Sequence, residues 1–341
     1  MEKSSPFLIS VCTKRKRAGV DGRGMGRGRI PPVLLHGGSP AKGEKMRTLY
    51  KYYKSLPNNY LLNPTLKLAC PENLNDPFEN SISDLISKIP EVSDNSLSYF
   101  KKVVNHAGLS SALSNTGVVS MSETHRNLLM WAHYADEHRG LVIGYREDIL
   151  TNKFRDSIFK FHGISKTPLK VDYDTVRFDS ESEVKTSNNH KKILKKILTT
   201  KGDDWIYEKE HRFLIPIYLA DSIVPNKKHD ELIKDYINNN AINKTNDGFN
   251  FKHRFTEEQY TIGWLESETN LLRKTSCSFY IEVNPMYISS IYFGCRCPEH
   301  LKNIWGELIE NNREHLSHIK LYEYKISETD FSLICQPYKI K

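Results

Sequence analysis

The densest set of reactive side chains is Trp205-Ile206-Tyr207-Glu208-Lys209-Glu210-His211-Arg212, immediately before an apolar run. Side chains alternate along an extended segment, so Glu208, Glu210 and Arg212 are expected on one face. Two carboxylates placed that way repel, and both stay ionised only where a base such as Arg212 compensates. A carboxylate so held can stabilise the oxocarbenium-like sugar that forms when a glycosidic bond breaks. The same residues also make a salt-bridged strand entrance, with Arg212 pairing Glu210 and no chemistry beyond it.

Two further polar–aromatic clusters carry more reactive residues than a core needs. Asn127 to Gly140 gathers Trp131, His133, Tyr134, Asp136, His138 and Arg139. Its aromatic residues either wall a pocket that stacks a planar ring or pack as core, with His133 and Tyr134 as partly exposed neighbours of Trp131 and Ala135. Leu49-Tyr50-Lys51-Tyr52 is followed by Asn75-Asp76-Pro77-Phe78-Glu79, where Asn75, Asp76 and Glu79 belong either to a pocket or to a capped turn. His133 and His138 are five residues apart, on different faces of a helix, so no shared metal is expected there. Walker, H-E-x-x-H, G-x-S-x-G and kinase signatures are absent. Glu323-Tyr324-Lys325 is an E-x-K triplet of the kind that serves metal-dependent nucleases, which keeps that chemistry as an alternative.

The elements that must position these residues follow from periodicity. Met46–Tyr53, Leu66–Cys70, Val118–Met121, Gly140–Tyr145, Leu169–Tyr173, Arg212–Tyr218, Cys277–Val283, Ile288–Phe293 and Ile319–Tyr324 read as strands. Ser83–Ile89, Asn95–Asn105, Arg126–Asp136, His190–Thr200 and Glu299–Glu310 read as helices. Their irregular order predicts an α+β fold, a mixed or antiparallel sheet with flanking helices, rather than a doubly wound parallel one. No Pro/Gly/Ser linker divides residues 46–341, so one domain is expected, with a polar excursion over 227–268.

Charge is distributed unevenly. The chain has 341 residues, 49 Lys+Arg and 41 Asp+Glu, a net charge of +8. Residues 1–45 hold 10 of the bases and 3 of the acids, so the body carries 39 bases against 38 acids. That basic Gly/Arg-rich head contains Lys14-Arg15-Lys16-Arg17 and the repeat Gly22 to Arg29, and lacks the apolar periodicity needed to offset its ordering entropy. It reads as a nucleic-acid-binding tail, a targeting signal or an extension, and the near-neutral body gives no bulk signal for a nucleic-acid groove. Six cysteines over this length do not make a disulfide scaffold, and no apolar run approaches the ~18 residues of a membrane span. A cytoplasmic protein without membrane association is expected.

Five segments in order, Leu49–Tyr52, Leu74–Glu79, Met130–Tyr134 with His138-Arg139-Gly140, Trp205–Arg212 and Ile291–Gly294, give a specific combination. It resembles a widespread bacterial family of unknown function, number two thousand nine hundred and seventy-one of the domain-of-unknown-function series, from Met46 to about residue 300. The layout is similar to that of a divergent ADP-ribosyltransferase, and this likeness implies an enzyme that consumes NAD. It implies that Lys51 or Tyr52 holds the dinucleotide's polar edge, with Lys51 standing where many such enzymes have His or Arg. Trp131 and Tyr134 would wall the nicotinamide, and Arg212 would lie beside the dinucleotide. Glu210 would bind the ribose hydroxyl and stabilise the oxocarbenium, and Glu208 would orient a protein or nucleic-acid acceptor. A bacterial toxin or phage-defence effector fits such an activity. A metal-dependent nuclease and a non-catalytic nucleotide-binding sensor are the competing readings.

Overall fold

The computed structural model describes residues 46–79, 112–151, 153, 167–176, 190–225, 242–245, 248–251 and 277–340. The helices expected at Ser83–Ile89 and Asn95–Asn105, and the whole basic head, lie outside the described residues.

Fifteen strands and four α-helices are present among the described residues. The strands are β1 (Thr48–Tyr53), β2 (Thr65–Leu68), β3 (Thr116–Ser122), β4 (Leu141–Arg146), β5 (Leu169–Lys170), β6 (Asp172–Asp174), β7 (Thr200–Gly202), β8 (Glu210–Pro216), β9 (Ser222–Pro225), β10 (Ile242–Thr245), β11 (Gly248–Phe251), β12 (Cys277–Glu282), β13 (Ile288–Phe293), β14 (Lys320–Ile326) and β15 (Leu333–Pro337). The helices are α1 (Leu128–Tyr134), α2 (His190–Leu198), α3 (Glu299–Asn311) and α4 (Arg313–Leu316). The class is α+β, with a large mixed sheet and few helices.

Eight strands form the main sheet in the order β15-β14-β13-β4-β1-β3-β8-β5, antiparallel except for the β13–β14 pair. That parallel pair needs a crossover, which α3 and α4 supply. A five-stranded antiparallel sheet, β10-β11-β9-β12-β2, faces it. Strand alternation sends Leu49, Val119, Ile143, Phe213 and Ile291 inward from the first sheet to meet Leu66, Leu68, Ile223, Phe279 and Ile281 of the second, with Trp305 of α3 in the same core.

Three segments differ from their sequence-based expectations. The run Leu169–Tyr173 is broken at Val171, because β5 pairs with β8 while β6 turns away to pair with β7. The strand from Arg212 stops at Pro216 and gives way to a 3-10 turn over Ile217–Leu219, as expected where proline removes a ladder donor. Within the polar 227–268 stretch, β10 and β11 form a hairpin that extends the second sheet at Phe249 opposite Ile223, so part of the excursion is sheet.

Candidate functional site

The main sheet opens between β1 and β3. β1 is aligned with β4 at six positions and β3 with β8 at seven, yet among the described residues β1 and β3 share the single pair Tyr50↔Ser122. Beyond it β3 takes a different partner: Ala69, just past β2, exchanges backbone hydrogen bonds of 2.9 and 2.8 Å with Val118. Where β1 departs, the Lys51 ammonium reaches across and donates to the Ser120 carbonyl of β3 at 2.9 Å. The gap belongs to a cleft of about 1310 Å³ lined by Lys51, Lys67, Tyr134, Lys201, Glu208 and Glu210, among others.

One wall is a buried ion cluster. Arg212 grips Glu210 through two hydrogen bonds of 2.8 Å, from Nε to Oε1 and from Nη2 to Oε2. The guanidinium also donates from Nη1 to the Leu198 carbonyl at 2.9 Å and pairs through Nη2 with Glu79. Lys201 donates to Glu208 Oε2 at 2.7 Å, stands 3.7 Å from Glu210 Oε2 and lies over the Trp205 ring. The Glu208 side chain is fastened at its other oxygen by the Tyr134 hydroxyl, which in turn accepts from Asn75. Burial alone would raise the Glu210 carboxyl, but Arg212 and Lys201 outweigh it and hold it at about 2. Glu79 moves the other way: burial raises it more than Arg212 and Lys201 lower it.

Glu208 and Glu210 converge for a reason other than strand alternation. Glu208 ends a 3-10 helix over Asp203–Glu208, and Lys209 is left-handed (φ 46°, ψ 53°) before Glu210 begins β8. The extended geometry expected across Glu208–Arg212 therefore holds for Glu210 and Arg212 but not for Glu208. The 3-10 helix is fixed by Ser122 Oγ donating to the Glu208 carbonyl at 2.6 Å.

Lys51 and Lys67 line the same cleft. Burial lowers the Lys51 ammonium to about 8, partly offset by Glu210 and reinforced by the neighbouring charge of Lys67. Tyr50 and Tyr52, which alternate with Lys51 along β1, also line the cleft. Tyr52 is nearly buried, and its hydroxyl donates to the Thr124 carbonyl.

α1 sorts the second cluster. Asn127 caps it, accepting from the Leu129 and Met130 amides. Helical spacing puts Met130 and Tyr134 on one side, toward the cleft, and Trp131 and Ala135 on another, in the core. Trp131 is 0% exposed, edge-on to Tyr52 and Tyr324, with its indole N–H donating to the His125 carbonyl. The expectation that Trp131 walls a nicotinamide is corrected by this burial. His133 is exposed beside Tyr134 and Tyr207, while His138 lies parallel to the far side of Trp131, so neither lines the cleft.

The Asn75–Glu79 segment splits as well. Asn75 lines the cleft through its bond to Tyr134. Asp76 is buried and its Oδ1 closes a turn by accepting from the Phe78 amide at 2.9 Å, while Glu79 sits behind Arg212, away from the cleft lining. Lys201, absent from the sequence-based candidates, is the cation that joins the two glutamates. Its seven-residue lead over Glu208 carries no motif, and only the β7 turn brings it back. Glu323 of the E-x-K triplet has its oxygens taken by Lys302 at 2.8 Å and Gln336 at 2.7 Å. Among the described residues no group of three His, Cys, Asp or Glu side chains is placed to hold a metal, and no helix is long and apolar enough to cross a membrane.

Residues 130–213 match the model of a family described as a protein of unknown function (DUF2971), the same family whose resemblance the sequence carries. The matched segment runs from α1 to β8 and so contains Tyr134, Lys201, Glu208, Glu210 and Arg212. β1 and the Asn75–Glu79 turn lie before it. No curated protein and no solved structure matches the chain.

Proposed function

We propose that the cleft between β1 and β3 binds NAD as substrate and that the protein is an ADP-ribosyltransferase-like enzyme. The observation that carries this reading is that one cleft brings the carboxylates of Glu208 and Glu210 together with the ammonium groups of Lys51 and Lys67. NAD has the complementary pattern, a pyridinium cation on one ribose and a diphosphate beyond it. In that pose the diphosphate meets the lysines and the nicotinamide ribose meets the glutamates, beside the Tyr134 ring.

The chemistry follows from the charge states. When the bond between C1′ and the pyridinium nitrogen breaks, its electron pair leaves with nicotinamide, which becomes neutral, and positive charge develops on the ribose. Glu210 is held ionised, and Glu79 draws on Arg212 from behind, so the guanidinium does not fully neutralise it. A fixed carboxylate at that point stabilises the developing cation without reorganising. The acceptor then bonds to C1′ and its proton passes to Glu208, whose Oε1 is reached through Tyr134. Acceptors on protein or nucleic acid, and a role as a bacterial toxin or phage-defence effector, remain within this proposal.

Nicotinamide release from NAD tests it. Glu210→Gln keeps the side chain's shape and is expected to lower the rate about 100-fold, the scale of a lost electrostatic stabiliser, with an unchanged circular dichroism spectrum. Wild-type rates in the folded variant would overturn the site assignment. Tight NAD binding by the wild type with no turnover would overturn the enzyme in favour of a nucleotide sensor.

A further inference from the structure

The β14–β15 hairpin ends the main sheet, and among the described residues β15 has no partner on its outer side. Two backbone bonds fix the phase of its ladder. The Tyr338 amide donates to the Leu321 carbonyl at 3.0 Å, and the Ser327 amide to the Ser332 carbonyl at 3.1 Å. Facing residues of an antiparallel ladder alternate between pairs that exchange hydrogen bonds and pairs that do not. Glu323–Gln336 and Lys325–Ile334 therefore carry the bonds between the strands, while Tyr322–Pro337, Tyr324–Cys335 and Ile326–Leu333 do not. The amides of Leu333 and Cys335, and the carbonyls of Leu333, Cys335 and Pro337, thus point outward from the sheet.

Such an edge accepts a further strand unless something blunts it. Here Pro337 lacks an N–H, but it stands at the strand's last position. Ile326, Phe331 and Ile334 of the same hairpin are exposed, as is Cys335. The strand also complements itself. A two-fold axis through Cys335 sets Cys335 of two antiparallel copies against each other, and Leu333 of each against Pro337 of the other. Each Cys335 amide then donates to the other Cys335 carbonyl, and each Leu333 amide to a Pro337 carbonyl, so the missing proline N–H falls at the rim. Centring on Pro337 would face two residues without an N–H, and centring on Leu333 would push Cys335 against Phe331, outside the strand. Charge matches in the Cys335 register. The turn bearing exposed Glu328 and Asp330 in one copy runs beside exposed Lys339 of the other, once at each end.

We propose that β15 is the interface of a homodimer, in which it pairs antiparallel with β15 of a second copy about Cys335 and joins the two main sheets. The opposite edge of that sheet is β5, only Leu169–Lys170 long. Pairing β15 with β5 would leave a free edge on each copy and give an open chain of molecules, whereas β15 with β15 closes. No residue of β15 lines the cleft, so the pairing is independent of what the cleft binds.

Sedimentation of the full chain tests it. The wild type is expected to be a reversible dimer at about 100 μM, and a monomer at that concentration would overturn the proposal. Cys335→Pro removes only the outward N–H and leaves the bonds to β14, so dimerisation is expected to weaken at least about tenfold in a folded monomer. Asp330→Lys, a surface change, tests the register without touching the strand. It is expected to weaken the dimer about tenfold, and adding Lys339→Asp to restore it. An unchanged dimer in Asp330→Lys, or in a folded Cys335→Pro, would place the interface elsewhere and overturn the proposal. A short bismaleimide should join the wild type into a covalent dimer, because Cα atoms of a hydrogen-bonded pair lie about 5.5 Å apart. Cys335→Ser should escape the crosslink while still sedimenting as a dimer, and crosslinking that persists in Cys335→Ser would count against the pairing.

Discussion

Lys51 is a cleft side chain whose protonation changes within an accessible pH range. Its ammonium, lowered by burial to about 8, loses its charge as pH rises through that value, while the groups around it hold theirs. Glu210 is already ionised, His125 is lowered by burial to about 4, and burial raises Tyr50, Tyr52 and Tyr134. Affinity for ADP-ribose is therefore expected to fall between pH 7 and pH 9, and Lys51→Arg to abolish the dependence, because the guanidinium stays charged throughout. A flat wild-type profile in calorimetry would show that Lys51 does not meet the diphosphate. Trp131 gives the opposite kind of prediction. Buried against Tyr52 and Tyr324, it is expected to cost about 3–5 kcal/mol on truncation to alanine, read as a lowered urea midpoint. Unchanged stability with lost binding would restore it to the site. The sequence made the Glu210–Arg212 pair legible, because a repelling carboxylate pair demands a base at that spacing. It could not show Lys201 joining them, since that contact depends on where β7 lies. Nor could residue types alone choose between the two sides of α1.

The elements show where local rules were overridden. α1 was legible from its spacing and its Asn127 cap, and β1, β4, β12 and β13 from their alternation or apolar runs. β15 was not, because Leu333–Pro337 is an edge strand with mostly exposed or half-buried side chains and no apolar face to betray it. The split between β1 and β3 was equally hidden: each strand looks continuous, and the opening arises from Ala69 claiming Val118. The turn at Lys209 matters most for the site, since its left-handed backbone swings Glu208 out of the β8 line. A side chain in that conformation costs on the order of 1 kcal/mol that glycine does not incur. Lys209→Gly is accordingly expected to leave the protein equally stable or up to about 1 kcal/mol more stable by urea denaturation, with Glu208 and Glu210 still joined through Lys201. A loss of more than about 1 kcal/mol would mean that the exposed Lys209 side chain, rather than its backbone, secures the turn.

At the scale of the molecule, the net charge of +8 separates into a basic first 45 residues and a body with 39 bases and 38 acids. A few of the body's charges are buried together, Glu79, Glu208 and Glu210 with Lys201 and Arg212. This arrangement couples stability to acid in a direction that can be worked out. Glu210 is held at about 2 against an ordinary 4.5, so the unfolded chain binds its proton first as pH falls. Its stabilisation is complete above about pH 4.5 and is lost progressively toward pH 2, by up to about 3 kcal/mol. Glu79 opposes it, because a carboxyl raised by burial takes up its proton in the folded state first and regains stability as pH falls. The net slope is therefore shallower than Glu210 alone would give, but its sign is set by the group with two direct bonds to Arg212. Urea unfolding at pH 5 and pH 3 should show a larger loss for the wild type than for Glu210→Gln. Added salt should change that difference little, since the pair is buried and poorly screened. Equal losses in the two proteins would show that the acid sensitivity resides in other carboxylates and that the Glu210–Arg212 pair contributes no net stability.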